Sequence, residues 1–376
     1  MVRGGDKGNI GGQYNVNYHT AIGRGFYRKE SFMSTSLSSI HGRHNLSTDG
    51  WVVITEELGH DPNNQHGADY GGLRQIPIVR LNNGYGRAGT IPLPKHYGDF
   101  ARRVGNFAEA SRGCSRWIIG NEMNHGQERP DGVSILPAQY ADCFNRCRSE
   151  IHARPGHEQD QVLVAAVAPW NNQTSYSGNE RGDWMRYFVD VQRGLAGCDG
   201  FALHTYATEQ HPDAIPYEQR MGGSFSDRLF GFQTFTEWMQ HILPQYQGLP
   251  CHITEFNING AAWRNENTGV IQRAYQEVDR WNKNNKTTPI LSLAVYRWQY
   301  DQWTFKDKPG VIADFLDAYG CGYVWPLPGT EPPEPPACDC SERLDALEVQ
   351  VAQQQAQIAE LFDRLRMGAL GLEGGT

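Results

Sequence analysis

No stretch of this chain combines length with unbroken apolarity, and nothing approaches the run of about 20 apolar residues that a membrane-crossing helix requires. Residues 1–12 carry charges and glycines in place of an apolar centre, so neither a secretory leader nor an anchor is expected there. The chain is expected to be soluble, with no membrane partner. Basic clusters are missing as well. A formal net charge of −8 with scattered lysine and arginine argues against a nucleic-acid partner, whose phosphates demand clustered cations. Cysteine is sparse: eight in 376 residues (Cys114, Cys143, Cys147, Cys198, Cys251, Cys321, Cys338 and Cys340), too few for a disulfide scaffold and without the paired spacing of a zinc site. No metal and no cofactor are expected, since glycine-rich pieces such as Gly84-Tyr85-Gly86 lack the strand-to-helix phosphate fingerprint. Compartment stays open, because a secreted chain that has lost its leader, a virion-associated protein and a cytoplasmic enzyme would all read this way.

What is present is core material: 39% of residues are hydrophobic and 11% aromatic, ample for a packed interior. The most informative stretch is Trp117-Ile118-Ile119-Gly120-Asn121-Glu122-Met123-Asn124-His125, apolar in its first half and polar in its second. It reads as a strand buried on both faces that ends in Asn121 and Glu122. A carboxylate at the end of a buried strand is costly unless it is paired, solvated or used. Cys251-His252-Ile253-Thr254-Glu255-Phe256-Asn257 repeats that setting with Glu255. Two glutamates on two strand ends of one barrel are suited to acid/base and nucleophilic work on a glycosidic bond. On strict strand alternation, His252, three residues before Glu255, should point to the opposite face and serve packing.

Further strands are expected at Gly50 to Glu57, at Ile76 to Gly84 closing on Arg80 and two asparagines, at 161–170, at Phe201 to Tyr206, and at Ile290 to Trp298. Helices are expected over 95–110, 137–153, 183–194, 232–243 and 268–282, where apolar residues recur at steps of three and four. One early strand has to lie within the glycine-, serine- and asparagine-rich first 50 residues, but no pattern places it. This alternation fits an α/β fold, either a (β/α)8 TIM barrel or a doubly wound open sheet. Polar residues at so many strand ends favour the barrel, whose chemistry gathers on one face. The barrel domain, with its irregular N-terminal segment, is expected to span residues 1–325.

Beyond Trp325 six prolines fall between Pro326 and Pro336, a stiff linker assigned to 326–340. Leu344, Leu347, Val351, Gln354, Ile358, Leu361 and Leu365 then follow a heptad seam, so 341–367 is expected to form a coiled-coil helix that makes the chain a homo-oligomer. Residues 368–376 read as a disordered tail. Cys338 and Cys340 stand where interchain disulfides would form in an oxidising compartment.

The succession Gly120-Asn121-Glu122, His204-x-Tyr206, Ile253-Thr254-Glu255 and Trp298 resembles the clan A (4/7 superfamily) glycoside hydrolases over roughly residues 50–325. The resemblance implies a (β/α)8-barrel retaining β-glycosidase with Glu122 as acid/base and Glu255 as nucleophile. It also implies substrate-binding roles: Asn121 toward the sugar 2-hydroxyl, Arg80 and Tyr206 beside the nucleophile, His204 in the same subsite, and Trp298 as an aromatic floor. Arg80 fits loosely, because it falls on what counts as the third strand, later than in many relatives. The implied partner is a β-linked carbohydrate.

Each residue has a plainer reading. Glu122 and Glu255 could be structural ion-pair carboxylates, His204 and Tyr206 satisfied core groups, and Trp298 core. Asn-Glu also recurs at Gly178-Asn179-Glu180, in a polar loop with no strand before it. The rival at the level of the whole chain is a non-catalytic, multivalent carbohydrate-binding or phage or surface structural protein on the same barrel, where several linked copies would raise avidity.

Overall fold

A computed structural model of the chain describes residues 35–285 and 288–325. The linker, the heptad segment, the tail, Cys338 and Cys340 therefore lie outside the described residues. Eight parallel strands close into a barrel: β1 (Ser38–His41), β2 (Trp51–Glu57), β3 (Ile76–Asn82), β4 (Arg116–Ile119), β5 (Gln161–Val164), β6 (Phe201–His204), β7 (Cys251–Phe256) and β8 (Ile290–Val295). Closure runs through β8 and β1, with Leu293 opposite Ser38 and Val295 opposite Ile40. A closed ring excludes the open doubly wound sheet. The strand the sequence could not place is β1, and β5 is shorter than its apolar run suggested.

Six helices follow the strands from β3 onward: α1 (Tyr97–Ala110), α2 (Pro137–His152), α3 (Trp184–Gly194), α4 (Thr234–Gln240), α5 (Val270–Asn284) and α6 (Pro309–Gly320). Among the described residues, the connections after β1 and β2 carry no helix. Helix α1 buries Tyr97, Phe100, Val104 and Phe107, the stripe its spacing predicts. At α3 the Asp183 carboxylate accepts from the Met185 N–H at 3.0 Å, a side-chain cap on a first-turn donor that has no partner within the helix.

Two buried tyrosines tie helices to the ring. Tyr140 of α2 donates to the Ile119 carbonyl at 2.9 Å and accepts from the Ala165 N–H at 2.8 Å. Tyr275 of α5 donates to the Leu293 carbonyl at 2.6 Å and accepts from the Ser39 N–H at 3.0 Å. Each satisfies backbone groups from two neighbouring strands or the residue just past one. Toward the N-terminal end of the barrel, the Arg116 guanidinium lies 5.1 Å from the centre of the Trp51 ring, and Trp51 meets His252 edge-on at 4.9 Å. Cys114, Cys143, Cys147, Cys198 and Cys251 are buried free thiols, whereas Cys321 is disulfide-bonded.

Candidate active site

The carboxylates singled out in the sequence meet at the C-terminal end of the strands, and each arrives by a local departure from regular backbone. Strand β4 stops at Ile119, and Gly120 turns the chain at φ +79°, where a Cβ would also stand 3.3 Å from Thr90 and Ile91. Glu122 itself has φ +36°, a conformation that costs a non-glycine residue about 1–3 kcal/mol and persists only where its surroundings fix it. Its N–H donates to the Ala166 carbonyl at 2.9 Å. Two residues on, the Asn124 side chain pairs with both the N–H and the carbonyl of Ala168, at 2.7 and 3.0 Å. The loop after β4 is thereby stitched to the end of β5.

Glu255 is placed by a bulge. Along β7, His252 is opposite Ala202 and Ile253 opposite Leu203, but it is Glu255 that is opposite His204, so Thr254 is an extra residue in the ladder. The bulge corrects the expectation for His252. Both side chains face the barrel interior: His252 bonds Ser292 at 2.9 Å and packs on Trp51, while Glu255 reaches Arg80 of β3.

Around this pair the groups close into one network. Arg80 Nη1 donates to Glu255 Oε1 at 2.7 Å and also to Asn121 Oδ1, and Arg80 Nε donates to Thr55 Oγ1 at 3.0 Å. Tyr206 donates to Glu255 Oε2 at 3.1 Å, and its hydroxyl is 3.3 Å from Glu122 Oε1. His204 lies between the two acids, with Nδ1 2.8 Å from Glu122 Oε1 and Nε2 3.7 Å from Glu255 Oε1. A carboxyl oxygen of Glu122 and one of Glu255 are within 4.8 Å of each other.

The environment separates the two acids. Glu255 is 7% exposed, and burial opposes its charge, yet His204, Arg80 and His41 around it outweigh burial and hold the carboxyl down at about 2. His41 is itself held at about 3 by burial and by Arg80, so it is neutral at ordinary pH. Burial and then the two glutamates push the Tyr206 hydroxyl far up, which keeps it a donor. Glu122 is the more open of the two, its side chain 18% exposed against 9% for that of Glu255.

Trp298 requires a correction. It is 5% exposed and packs edge-on against Phe305, with ring centres 5.6 Å apart, so it belongs to the core and offers no face to a ligand. The half-buried aromatic at the end of β8 is Tyr296, whose ring meets His41 at 4.8 Å and lies in the fields of Glu255 and Arg80. On the opposite side the half-buried Trp170 ring stands 6.0 Å from Tyr206 and 4.6 Å from Phe230. His41, Thr55, Glu128 and Tyr296 were not found from sequence, and all belong to the network or its edge. Glu128 Oε1 accepts from Asn121 Nδ2 at 3.1 Å. Among the loops after β2, β3 and β4, a cleft of about 910 Å³ is lined by residues including Glu57, His60, Asn83, Lys95, His96 and Asp131, with neither Glu122 nor Glu255 in its wall.

Glu122, His204 and Glu255 present donor atoms close enough together to hold a metal ion. The Arg80 guanidinium bonded to Glu255 opposes a cation there, because both compete for one carboxylate. The arrangement suits different chemistry, in which one buried, ionised carboxylate stands next to a more accessible carboxyl and both reach a single bond between them.

No protein-family model and no curated protein matches this sequence. Solved structures do resemble it, and they are glycoside hydrolases together with a binding relative. A GH128 (subgroup I) endo-β-1,3-glucanase from Amycolatopsis mediterranei aligns at 12% identity and TM-score 0.42, over 75% of this chain and 99% of that one. A GH128 (subgroup VII) oligosaccharide-binding protein from Cryptococcus neoformans aligns at 13% and 0.42, over 76% and 93%. A bacterial orthologue of human α-L-iduronidase aligns at 12% and 0.43, over 74% and 53%. Such identities and scores carry no argument about activity, so any functional reading has to rest on the residues.

Proposed function

We propose that this chain is a retaining β-glycoside hydrolase, with Glu255 as nucleophile and Glu122 as acid/base. The observation that carries the proposal is the approach of the two carboxyl groups to within 4.8 Å, bridged by Tyr206 and His204. Retaining enzymes hold their carboxyl groups about 5–5.5 Å apart, whereas inverting enzymes need roughly 6.5–9.5 Å to admit a water between them. One oxygen of each carboxyl within 4.8 Å supports the retaining reading.

The roles follow from the environments. Glu255, ionised through Arg80, attacks the anomeric carbon while Glu122 delivers its proton to the departing glycosidic oxygen. Bond formation removes the charge on Glu255. Glu122, now an anion, takes a proton from the incoming water, which attacks the same carbon and releases the sugar with its configuration retained. Asn121 stands next to Glu122 with its carbonyl oxygen taken by Arg80, so an amide N–H is its group for a sugar hydroxyl. Trp170 and Tyr296 offer aromatic surface on two sides, and the cleft among the loops after β2, β3 and β4 has room for further sugar units. The substrate is a β-linked polysaccharide or oligosaccharide.

The test is chemical rescue. Glu255→Gly is expected to abolish release of an aryl leaving group from activated β-glycosides, and azide is expected to restore it with formation of a glycosyl azide of inverted configuration. Unchanged activity without rescue removes Glu255 from the nucleophile role. A wild-type chain that binds sugars but releases no reducing ends across a panel of β-glycosides and polysaccharides would establish the multivalent binding protein in place of the enzyme.

A further inference from the structure

A third carboxyl group sits against the proposed pair, and the reaction as written leaves it idle. Glu128 closes a single helical turn (Gly126–Glu128) in the loop that also carries Glu122. Its backbone is pinned on both sides: its N–H donates to the His125 carbonyl at 3.1 Å, and its carbonyl accepts from the Thr90 N–H at 2.9 Å. The half-buried side chain accepts from Asn121 Nδ2, whose amide oxygen accepts from Arg80, which in turn donates to Glu255. Glu128, Asn121, Arg80 and Glu255 form one continuous chain of hydrogen bonds.

The chain has only one sensible polarity. Arg80 can only donate, so Asn121 has to present its oxygen to it and its NH2 to Glu128. A flipped amide would set donor against donor at one end and oxygen against oxygen at the other. We infer that Glu128 is a positioning residue for the proposed reaction: it fixes the orientation of the Asn121 amide beside Glu122. This inference rests on the hydrolase reading of the site.

Burial raises the Glu128 carboxyl to about 7, with Glu122 and Glu255 adding to the rise and the Asn121 hydrogen bond and Arg80 working downward. Protonated or ionised, the carboxyl keeps an oxygen for the Asn121 NH2, so the polarity of the chain does not depend on its charge.

Glu128→Gln keeps an acceptor for Asn121, and Glu128→Leu removes it. The first is expected to hold kcat/KM near the wild-type value and the second to lower it about tenfold, the effect of one lost hydrogen bond. With a 2-deoxy glycoside, which offers Asn121 no hydroxyl, the penalty in Glu128→Leu is expected to shrink. Thermal melts of both variants check folding. The independent readout is the ¹⁵N–¹H side-chain signal of Asn121, expected to stay in place in Glu128→Gln and to move in Glu128→Leu. A wild-type enzyme that turns over, with kcat/KM unmoved in Glu128→Leu, overturns the inference and leaves the hydrolase reading standing. Should no β-glycoside be turned over, the hydrolase reading falls, and the amide signal still decides the positioning: an Asn121 signal unmoved in Glu128→Leu overturns it.

Discussion

Arg80→Met removes the guanidinium bonded to Glu255 and leaves that carboxylate with Tyr206 and His204 as its close partners. In the wild type the Glu255 carboxyl is depressed from its ordinary range to about 2, which corresponds to roughly 3 kcal/mol of stability at neutral pH. Arg80 supplies only part of that depression, since His204 contributes more; removing one partner of a buried ion pair costs about 3–5 kcal/mol because the other is left buried and unpaired. The sign follows from the direction of the depression. A lowered carboxylate stabilises the fold at pH above its unfolded value, and that contribution is lost as pH falls toward about 2. The stability gap between wild type and Arg80→Met, read from urea unfolding followed by tryptophan fluorescence, is therefore expected to be widest near neutrality and to shrink steadily toward about pH 3. With Arg80 gone, burial acts on Glu255 against less opposition, so the acidic limb of kcat/KM is expected to rise by about one pH unit, within the usual effect of one opposite charge nearby. A stability gap that stays constant across this range would refute the electrostatic account of Arg80 and leave it a packing residue.

Tyr206→Phe removes the donor to Glu255 and the hydroxyl beside Glu122. The expected result is a fall in kcat of about tenfold to a hundredfold with KM nearly unchanged, the effect of losing a hydrogen bond to a charged group during reaction; a rise in KM at constant kcat would assign the hydroxyl to substrate binding instead. Ending the chain after Trp325 removes the linker and the heptad segment. Light scattering is expected to show the full chain as an oligomer and the shortened one as a single copy with its barrel intact, and equal masses would overturn the coiled-coil reading.

The sequence carries the barrel through seven of its strands because their apolar runs are bounded by turn residues and close on polar ones. It conceals β1 for a physical reason. Ser38-Ser39-Ile40-His41 has one aliphatic residue in four, and its strand character comes from pairing with β2 and β8. His41 is hidden with it. The bulge in β7 is equally invisible, since a period of two has no symbol for an extra residue; only the pairing with His204 reveals that Glu255 and His252 share the interior. Trp298 shows the complementary failure. Its position after a strand was legible, whereas the turn that puts Tyr296 near the cleft and Trp298 against Phe305 was not. Glu128, an isolated acid in a polar loop, gains meaning only when a helical turn folds it back onto Asn121. Glu122 and Glu255 stood out because an ionisable group straight after a buried run is costly, and that cost is local enough to read from residue order.

The groups that touch Glu255 hang from strands or from the residue just past one: Arg80 from β3, His204 from β6, Tyr206 two positions beyond it. Glu122 hangs from a loop. A designer wishing to alter what this barrel accepts could therefore exchange the connections after β2, β3 or β8 with little disturbance to the proposed attacking group, while trimming the crossing between β4 and α2 would strand the proposed proton donor. Half of the machinery is built into the walls and half into a replaceable fitting, and the second half is where inherited change would most readily silence the chain.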